Sequence, residues 1–223
     1  MNLADALFDI LEIIGTISFA VAGAMVAVRK RVDLFGVLFL GIITALGGGM
    51  LRDITLGRIP PALFKNGIYV GIAAVTSVLV FLLARLFREK YLSSERVIDQ
   101  INNVFDALGL GIFTVIGSQV ALEAGYEKNA LLVVCMGMIT GIGGGLIRDL
   151  MVMEIPFVLR KRVYAVASIS GALIFYVLLQ IKISDWIAVF ASVAWIFGMR
   201  MLATKYKWNL PKAIPEENGE QEK

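Results

Sequence analysis

The sequence predicts an all-α, polytopic membrane protein: seven transmembrane helices, arranged as two inverted three-helix repeats plus a seventh helix. Three observations lead there. Of the 223 residues 58% are hydrophobic, above the roughly 45–50% of soluble domains, and mean hydropathy is +0.80. They gather in runs long enough to cross a hydrocarbon layer, for which about 20 residues suffice. A ten-residue string, Thr44-Ala45-Leu46-Gly47-Gly48-Gly49-Met50-Leu51-Arg52-Asp53, returns as Thr140-Gly141-Ile142-Gly143-Gly144-Gly145-Leu146-Ile147-Arg148-Asp149. Finally, lysine and arginine crowd into alternate loops.

The first span is expected at 5–28. Ala20-Val21-Ala22 resembles a signal-peptide cleavage site, but Asp5, Asp9 and Glu12 stand where a basic leader region belongs, so the span is expected to be retained. The second, 34–52, carries the first glycine string and runs on to Pro60; the third covers 67–87. The fourth, 100–122, repeats the first: Asp106-Ala107-Leu108-Gly109 answers Glu12-Ile13-Ile14-Gly15, and Phe113…Gly117 answers Phe19…Gly23. The fifth, 129–150, carries the second string and runs on to Pro156, and the sixth covers 163–181. The first and fourth spans correspond at a separation of 94 residues and the glycine strings at 96, a difference that a loop absorbs. Three spans per repeat, an odd number, turn the second repeat upside down. The seventh span, 185–203, has no counterpart. Repeat one (about 5–87), repeat two (about 100–181) and the seventh helix form a transmembrane domain over 1–204. The polar tail 205–223 is expected to be disordered.

Charge sets the orientation. Arg29, Lys30 and Arg31 follow the first span; Arg85, Arg88, Lys90 and Arg96 follow the third. Arg160, Lys161 and Arg162 follow the fifth, and Arg200, Lys205 and Lys207 the seventh. The intervening loops hold only Arg58, Lys65, Lys128 and Lys182. The positive-inside rule then puts the amino terminus outside and the carboxyl tail in the cytoplasm.

Three neighbouring glycines weaken a helix by about 1 kcal/mol each relative to alanine. Gly47, Gly48 and Gly49, and Gly143, Gly144 and Gly145, are therefore expected to kink or unwind the second and fifth spans where they line a wet path, since a break in lipid is untenable. Close helix packing is the alternative, through Gly41, Ala45 and Gly49 and through Gly137, Gly141 and Gly145 at four-residue spacing. Thr44 and Thr140 either line that path or bond back one turn and bend the helix. Arg52, Asp53, Arg148 and Asp149 are charges inside or bordering hydrocarbon, which tend to face a cavity or a partner. Inversion puts Glu12 beside Arg52 at one mouth and Asp106 beside Arg148 at the other. The segments after Pro60 and Pro156 are expected to turn the chain along the interface. Lys65, Arg160, Lys161 and Arg162 set topology or touch lipid phosphates.

Enzyme signatures fail. The chain has no histidine, hence no Ser-His pair. The string Gly141-Ile142-Gly143-Gly144-Gly145-Leu146 ends in leucine where a dinucleotide fingerprint needs glycine. Cys135 is the sole cysteine and is expected to pack. No cofactor, structural metal or nucleic-acid partner is expected.

The doubled Gly-Gly-Gly-x-x-Arg-Asp with its following proline, the first span Gly15-Thr16…Phe19…Gly23 and the seven spans together resemble the prokaryotic branch of the trimeric intracellular cation (TRIC) channel family, sequences also grouped under a domain named for glycine transport. The resemblance covers about residues 7–203. It implies a homotrimer in the cell membrane, each protomer with an hourglass pore for monovalent cations, chiefly potassium and also sodium, lined where the second and fifth helices kink. Animal members carry a lysine-bearing, phosphoinositide-binding motif after the first glycine triplet; Arg52-Asp53 stands there in this chain. A potassium filter of the Thr-Val-Gly-Tyr-Gly kind is missing, so selectivity is expected to be modest. Inverted repeats also serve secondary transporters, and uptake of a small amino acid such as glycine is the alternative.

Overall fold

Residues 3–87, 94–160 and 163–208 are described by the computed structural model; the expectations placed on Arg88, Lys90, Lys161, Arg162 and the tail beyond 208 lie outside them. Among the described residues the chain is helices and turns, without a strand. Helices α1 (Leu3–Arg29), α2 (Leu34–Thr55), α4 (Ile68–Leu86), α5 (Glu95–Glu123), α6 (Ala130–Met151), α8 (Val163–Gln180) and α9 (Asp185–Lys205) stand where the seven spans are expected. Each is long and apolar enough to cross a membrane. Short helices α3 (Ala62–Lys65) and α7 (Phe157–Arg160) occupy the segments after the prolines. Helix α5 starts five residues before its expected onset at 100. Its added residues include Glu95, Arg96 and Asp99, and a helix that leaves hydrocarbon keeps propagating while its residues allow.

The duplication extends to the helix ends. Asp33 caps α2 by accepting the Gly36 N–H at 2.8 Å, and Asn129, at the matching position, caps α6 by accepting the Leu132 N–H at 3.0 Å. Both residue types are favoured caps because a short polar side chain satisfies an orphan N–H. Beyond the far ends, Gly57 and Met153 match each other and both take positive φ, 70° and 55°. The Arg58 and Glu154 N–H groups then bond back to the Asp53 and Asp149 carbonyls.

Packing follows a pseudo-two-fold axis. Helix α2 lies against α6 and α1 against α5, while the pairs α1–α2, α2–α4 and α1–α4 of one half reappear as α5–α6, α6–α8 and α5–α8. Helix α9 stands outside this symmetry, against α8 and α5. On the axis Phe19 and Phe113 stack with ring centroids 5.3 Å apart. Each ring sits over a glycine of the opposite helix, Phe19 over Gly109 and Phe113 over Gly15. Both rings are buried, and an aromatic pair in this geometry is worth about 0.5–1.5 kcal/mol beyond its area.

Of the kink or unwinding expected at the glycine triplets, the unwinding does not occur. Helices α2 and α6 are unbroken from Leu34 to Thr55 and from Ala130 to Met151, so the glycine triplets are helical and no backbone unwinds there. The reason is close packing. A Cβ on Gly48 would collide with the Thr140 carbonyl oxygen, and one on Gly144 with the Thr44 carbonyl oxygen. The two helices touch backbone to backbone at their crossing, which only glycine permits.

Candidate functional site

From that crossing the three glycines of each triplet take different jobs. Gly47 and Gly143 sit beside the opposite helix, against Ile147 and Leu51 respectively. Gly48 and Gly144 make the contact itself. Gly49 and Gly145 turn away from it toward the arginine of their own copy: a Cβ at Gly49 would meet Arg52 Nη2 at 3.7 Å, and one at Gly145 would meet both Arg148 Nη2 and the Tyr164 hydroxyl at 3.5 Å.

Thr44 and Thr140 face neighbouring helices. Their hydroxyls donate back to the Leu40 and Met136 carbonyls at 2.5 and 2.6 Å, and they pack into the gaps left by Gly23 of α1 and Gly117 of α5. A hydroxyl bonded one turn back is self-satisfied and tolerates burial. Of the two readings open for the threonines, lining a path or bonding back one turn, the structure shows the back-bond, and both side chains are helix–helix contacts.

The Arg-Asp pairs are built alike. Arg52 directs Nε and Nη2 at Asp53 Oδ1, at 2.9 and 2.7 Å, and Asp53 Oδ2 accepts the Ala62 N–H of α3 at 2.8 Å. Arg148 Nε meets Asp149 Oδ1 at 2.8 Å, and Asp149 Oδ2 accepts the Phe157 N–H of α7 at 2.8 Å. Each aspartate therefore neutralises its arginine and ties the start of a short helix to the end of a long one. All four residues are buried. Carboxylates placed this way are firmly held, since both oxygens have partners and removal of one member of a buried pair costs about 3–5 kcal/mol.

The acids on α1 and α5 diverge. Asp106 approaches Arg148, Oδ1 to Nη1 at 3.1 Å. Its counterpart Glu12 makes no ion pair with Arg52 within 4 Å among the described contacts; Glu12 lies beside the Tyr69 hydroxyl of α4, with Arg52 near enough to attract its charge. The longer glutamate reaches the phenol, and Arg52 spends two donors on one Asp53 oxygen. At the other end Tyr164 of α8 takes the equivalent place: its hydroxyl lies beside Asp106 without completing a hydrogen bond.

Sequence reasoning missed Tyr69, Tyr164, Asn103 and Arg200. Arg200 was counted among the topology-setting charges after the seventh span, but it lies within α9 and is 1% exposed. Its guanidinium rests 4.7 Å from the centre of the Tyr164 ring, and Nη2 donates to Asn103 Oδ1 at 2.9 Å. The signal was available: a charge three residues inside an apolar span seeks an interior partner more often than an interface.

The Arg148 end lies on the same face as the termini of α1 and α5. Lys30 pairs with Glu154 at 2.7 Å and Arg29 with Asp99 at 3.0 Å. The Arg52 end lies opposite, where Arg58 reaches the Val120 carbonyl of α5 at 3.4 Å. Arg29, Lys30, Arg31, Arg96 and Lys205 therefore cluster at the Arg148 end, and Arg58, Lys65, Lys128 and Lys182 at the other.

With this geometry in hand, the chain was compared with known proteins. A family model described as "Glycine transporter" matches residues 9–85 and 103–180, one segment per repeat. The chain is 37% identical over 212 residues to the UPF0126 inner membrane protein YadS of Escherichia coli K12, covering 94% of this chain and 97% of that one. It is 34% identical over 205 residues to the UPF0126 membrane protein YvgT of Bacillus subtilis, covering 92% and 95%. Among solved structures it is similar to a TRIC orthologue from Rhodobacter sphaeroides, with TM-score 0.81 and 31% identity over 91% of this chain and 99% of that one. It is also similar to a prokaryotic TRIC channel solved in 0.5 M KCl, with TM-score 0.82 and 35% identity over 92% and 99%. A third structure, described as the basis for conductance through TRIC cation channels, gives TM-score 0.80 and 34% identity over 94% and 98%. The helical, seven-span reading is shown by the fold and these neighbours together, as is placement in the bacterial inner membrane.

Proposed function

The chain belongs to the TRIC cation channel family, and from that premise we propose that it is a passive channel for monovalent cations, chiefly potassium and also sodium, with a path inside each protomer. The observation that carries the reading is the structural likeness to conducting TRIC channels across more than nine-tenths of the chain. The site supports it. Arg52, Asp53, Asp106, Arg148 and Asp149 are all buried within membrane-spanning helices, where charge is expensive and marks an ion route more often than a structural accident. The path runs past Gly49 and Gly145 along α2 and α6 and is narrowest where Gly48 meets Gly144. Charged clusters form its two mouths. Glu12 gives the Arg52 mouth an acidic side chain without an ion pair among the described residues, which favours cations there.

The finer features follow the same premise. The protein is a homotrimer whose protomers conduct separately, seated among membrane lipids, with the basic Arg148 end in the cytoplasm and the amino terminus outside. The chain carries out no enzymatic step. Purified protein in planar bilayers under a potassium chloride gradient tests the proposal: discrete unitary currents reversing toward the potassium equilibrium potential are expected. Saturable glycine uptake without such currents would overturn it in favour of a carrier.

A further inference from the structure

The two mouths are built from matching residues, yet they are not equally open. Gly49 is partly exposed and Gly145 is buried. Arg52 retains 7% exposure where Arg148 has none, and Glu12 is half-buried where Asp106 is buried. An exact internal two-fold would make these pairs alike; the departures are the drift between the repeats, Asp106 against Glu12 and Tyr164 against Ile68, and one element added outside them. The added element is α9, and its contribution to the cluster is Arg200.

Arg200 touches the closure through Tyr164. The guanidinium over the ring is a cation–π contact, held in place by Asn103, which in turn donates Nδ2 to Thr204 Oγ1 at 3.1 Å. The Tyr164 hydroxyl and Arg148 Nη2 converge on the open side of Gly145. Among the described residues neither atom has a hydrogen-bond partner, and Arg200 Nε, Asp106 Oδ2 and Asn102 Oδ1 on the neighbouring helices have none either. Five buried polar atoms without a partner among the described residues make this a polar pocket that water can satisfy. At the Arg52 end the position matching Tyr164 is Ile68, which is 63% exposed; the neighbouring Tyr69 stands beside Glu12, and no tyrosine atom comes within 4 Å of a Cβ at Gly49.

We propose that Arg200 is a positioning residue of the conduction path: it pins the Tyr164 ring over Arg148 and Gly145 and so latches the Arg148 end shut while the Arg52 end stands open. Release of Tyr164 from Arg200 lets water reach Gly145 and the unpaired atoms around it, and the path becomes continuous. The latch rests on the channel reading above for its consequence. Its geometry is tested without it.

Two measurements separate them. First, single cysteines are placed at Gly49 and at Gly145 in a Cys135→Ala background, where a Cβ at either site meets nothing closer than 3.5 Å, and treated with a small membrane-impermeant thiol reagent from each side. Cysteine at 49 is expected to react at rest and cysteine at 145 to be protected. Adding Arg200→Gln is expected to expose the cysteine at 145; Arg200→Lys, which keeps the charge but not the flat stacking surface, gives an intermediate rate. Reaction at 145 in the presence of Arg200, or continued protection in both Arg200 variants, overturns the latch. Second, in bilayers Arg200→Gln is expected to raise open probability at least about fivefold with unitary conductance unchanged, and to have no further effect in a Tyr164→Leu background. Altered conductance at constant open probability would make Arg200 a lumen residue and overturn the proposal. Silence of the wild-type protein in bilayers would sink the channel reading while the thiol rates still judge the latch.

Discussion

Replacing Gly48 by alanine and, separately, Gly49 by alanine probes the helix crossing with one methyl group each. Both changes remove the same intrinsic handicap of glycine in a helix, about 1 kcal/mol, so that contribution cancels in the comparison. What differs is the space. The methyl at 48 runs into the Thr140 carbonyl, a backbone atom that cannot rotate aside, whereas the methyl at 49 finds only the flexible end of Arg52 at 3.7 Å. Forcing packed backbones apart belongs with overpacking, about 1–3 kcal/mol. Gly48→Ala is therefore expected to be about 1–3 kcal/mol less stable than Gly49→Ala, a lower midpoint by roughly 2–12 °C for a chain of this size. The assay is thermal unfolding of the detergent-solubilised protein followed by the monodisperse fraction on size exclusion. Gly144→Ala should behave like Gly48→Ala. Joining the two should cost less than their sum, since the first methyl already separates the helices that the second would strain. Equal midpoints for Gly48→Ala and Gly49→Ala would refute the backbone contact and return the triplet to a role as a kink.

Three further outcomes are expected. Glu12→Gln keeps a partner for the Tyr69 hydroxyl but removes a charge, so folding should be unchanged while potassium conductance falls by at least about twofold near 0.01 M salt and converges with wild type near 1 M, as screening shortens from about 30 Å to about 3 Å; a deficit that persists at high salt would count against an electrostatic role. Asp53→Asn should destabilise more than Asp149→Asn, each within about 3–5 kcal/mol, because Arg148 keeps Asp106 at 3.1 Å whereas Arg52 has no second ion-pair partner among the described contacts; the reverse order in unfolding midpoints would contradict this. Met153→Gly should stabilise by about 0.5–1 kcal/mol, relieving a left-handed conformation at an exposed residue whose counterpart is already Gly57; an unchanged midpoint would argue that Met153 gains elsewhere what its backbone loses.

Which of these features were legible in the sequence follows from how each is encoded. The spans, their number and their alternating direction come from composition and loop charge, both written locally along the chain. The pairing of Asp106 with Arg148 was accessible because inversion places matching residues at opposite mouths. The glycine triplets misled because propensity points to a weak helix, whereas tertiary contact decides what a weak helix does; a backbone crossing and a break begin from the same three letters. Thr44 and Thr140 offered two readings, and the spacing of Gly23 and Gly117 on other helices, which selects between them, becomes visible only once α1 packs on α2 and α5 on α6. The tyrosines escaped notice for a different reason. Tyr69 and Tyr164 are one position out of register between the repeats, so a search for matching letters passes over two side chains that stand beside matching acids.

Duplication explains the crossing, but it cannot explain direction. Two identical halves inverted across the membrane would make a path with equivalent ends, and any tendency to close at one end would be matched at the other. Direction needs a part that occurs once. Helix α9 is that part, since it packs chiefly on the second-repeat side, against α8 and α5, and brings a guanidinium to the single end where Asp106 is ion-paired and Gly145 is buried. The drift between the repeats goes the same way: glutamate in place of aspartate at 12, and isoleucine in place of tyrosine at 68, each leave the Arg52 end less tightly filled. Exchanging the two ends therefore tests the reasoning more sharply than removing either one. Ile68→Tyr together with Glu12→Asp rebuilds the tyrosine and the shorter acid at the Arg52 end, but without a counterpart of Arg200 to hold the ring. Cysteine at Gly49 should then stay reactive toward the impermeant thiol reagent within about twofold of its original rate, because a ring that nothing pins samples its rotamers freely. Full protection of that cysteine would mean that tyrosine alone closes a mouth and that α9 has no part in setting direction.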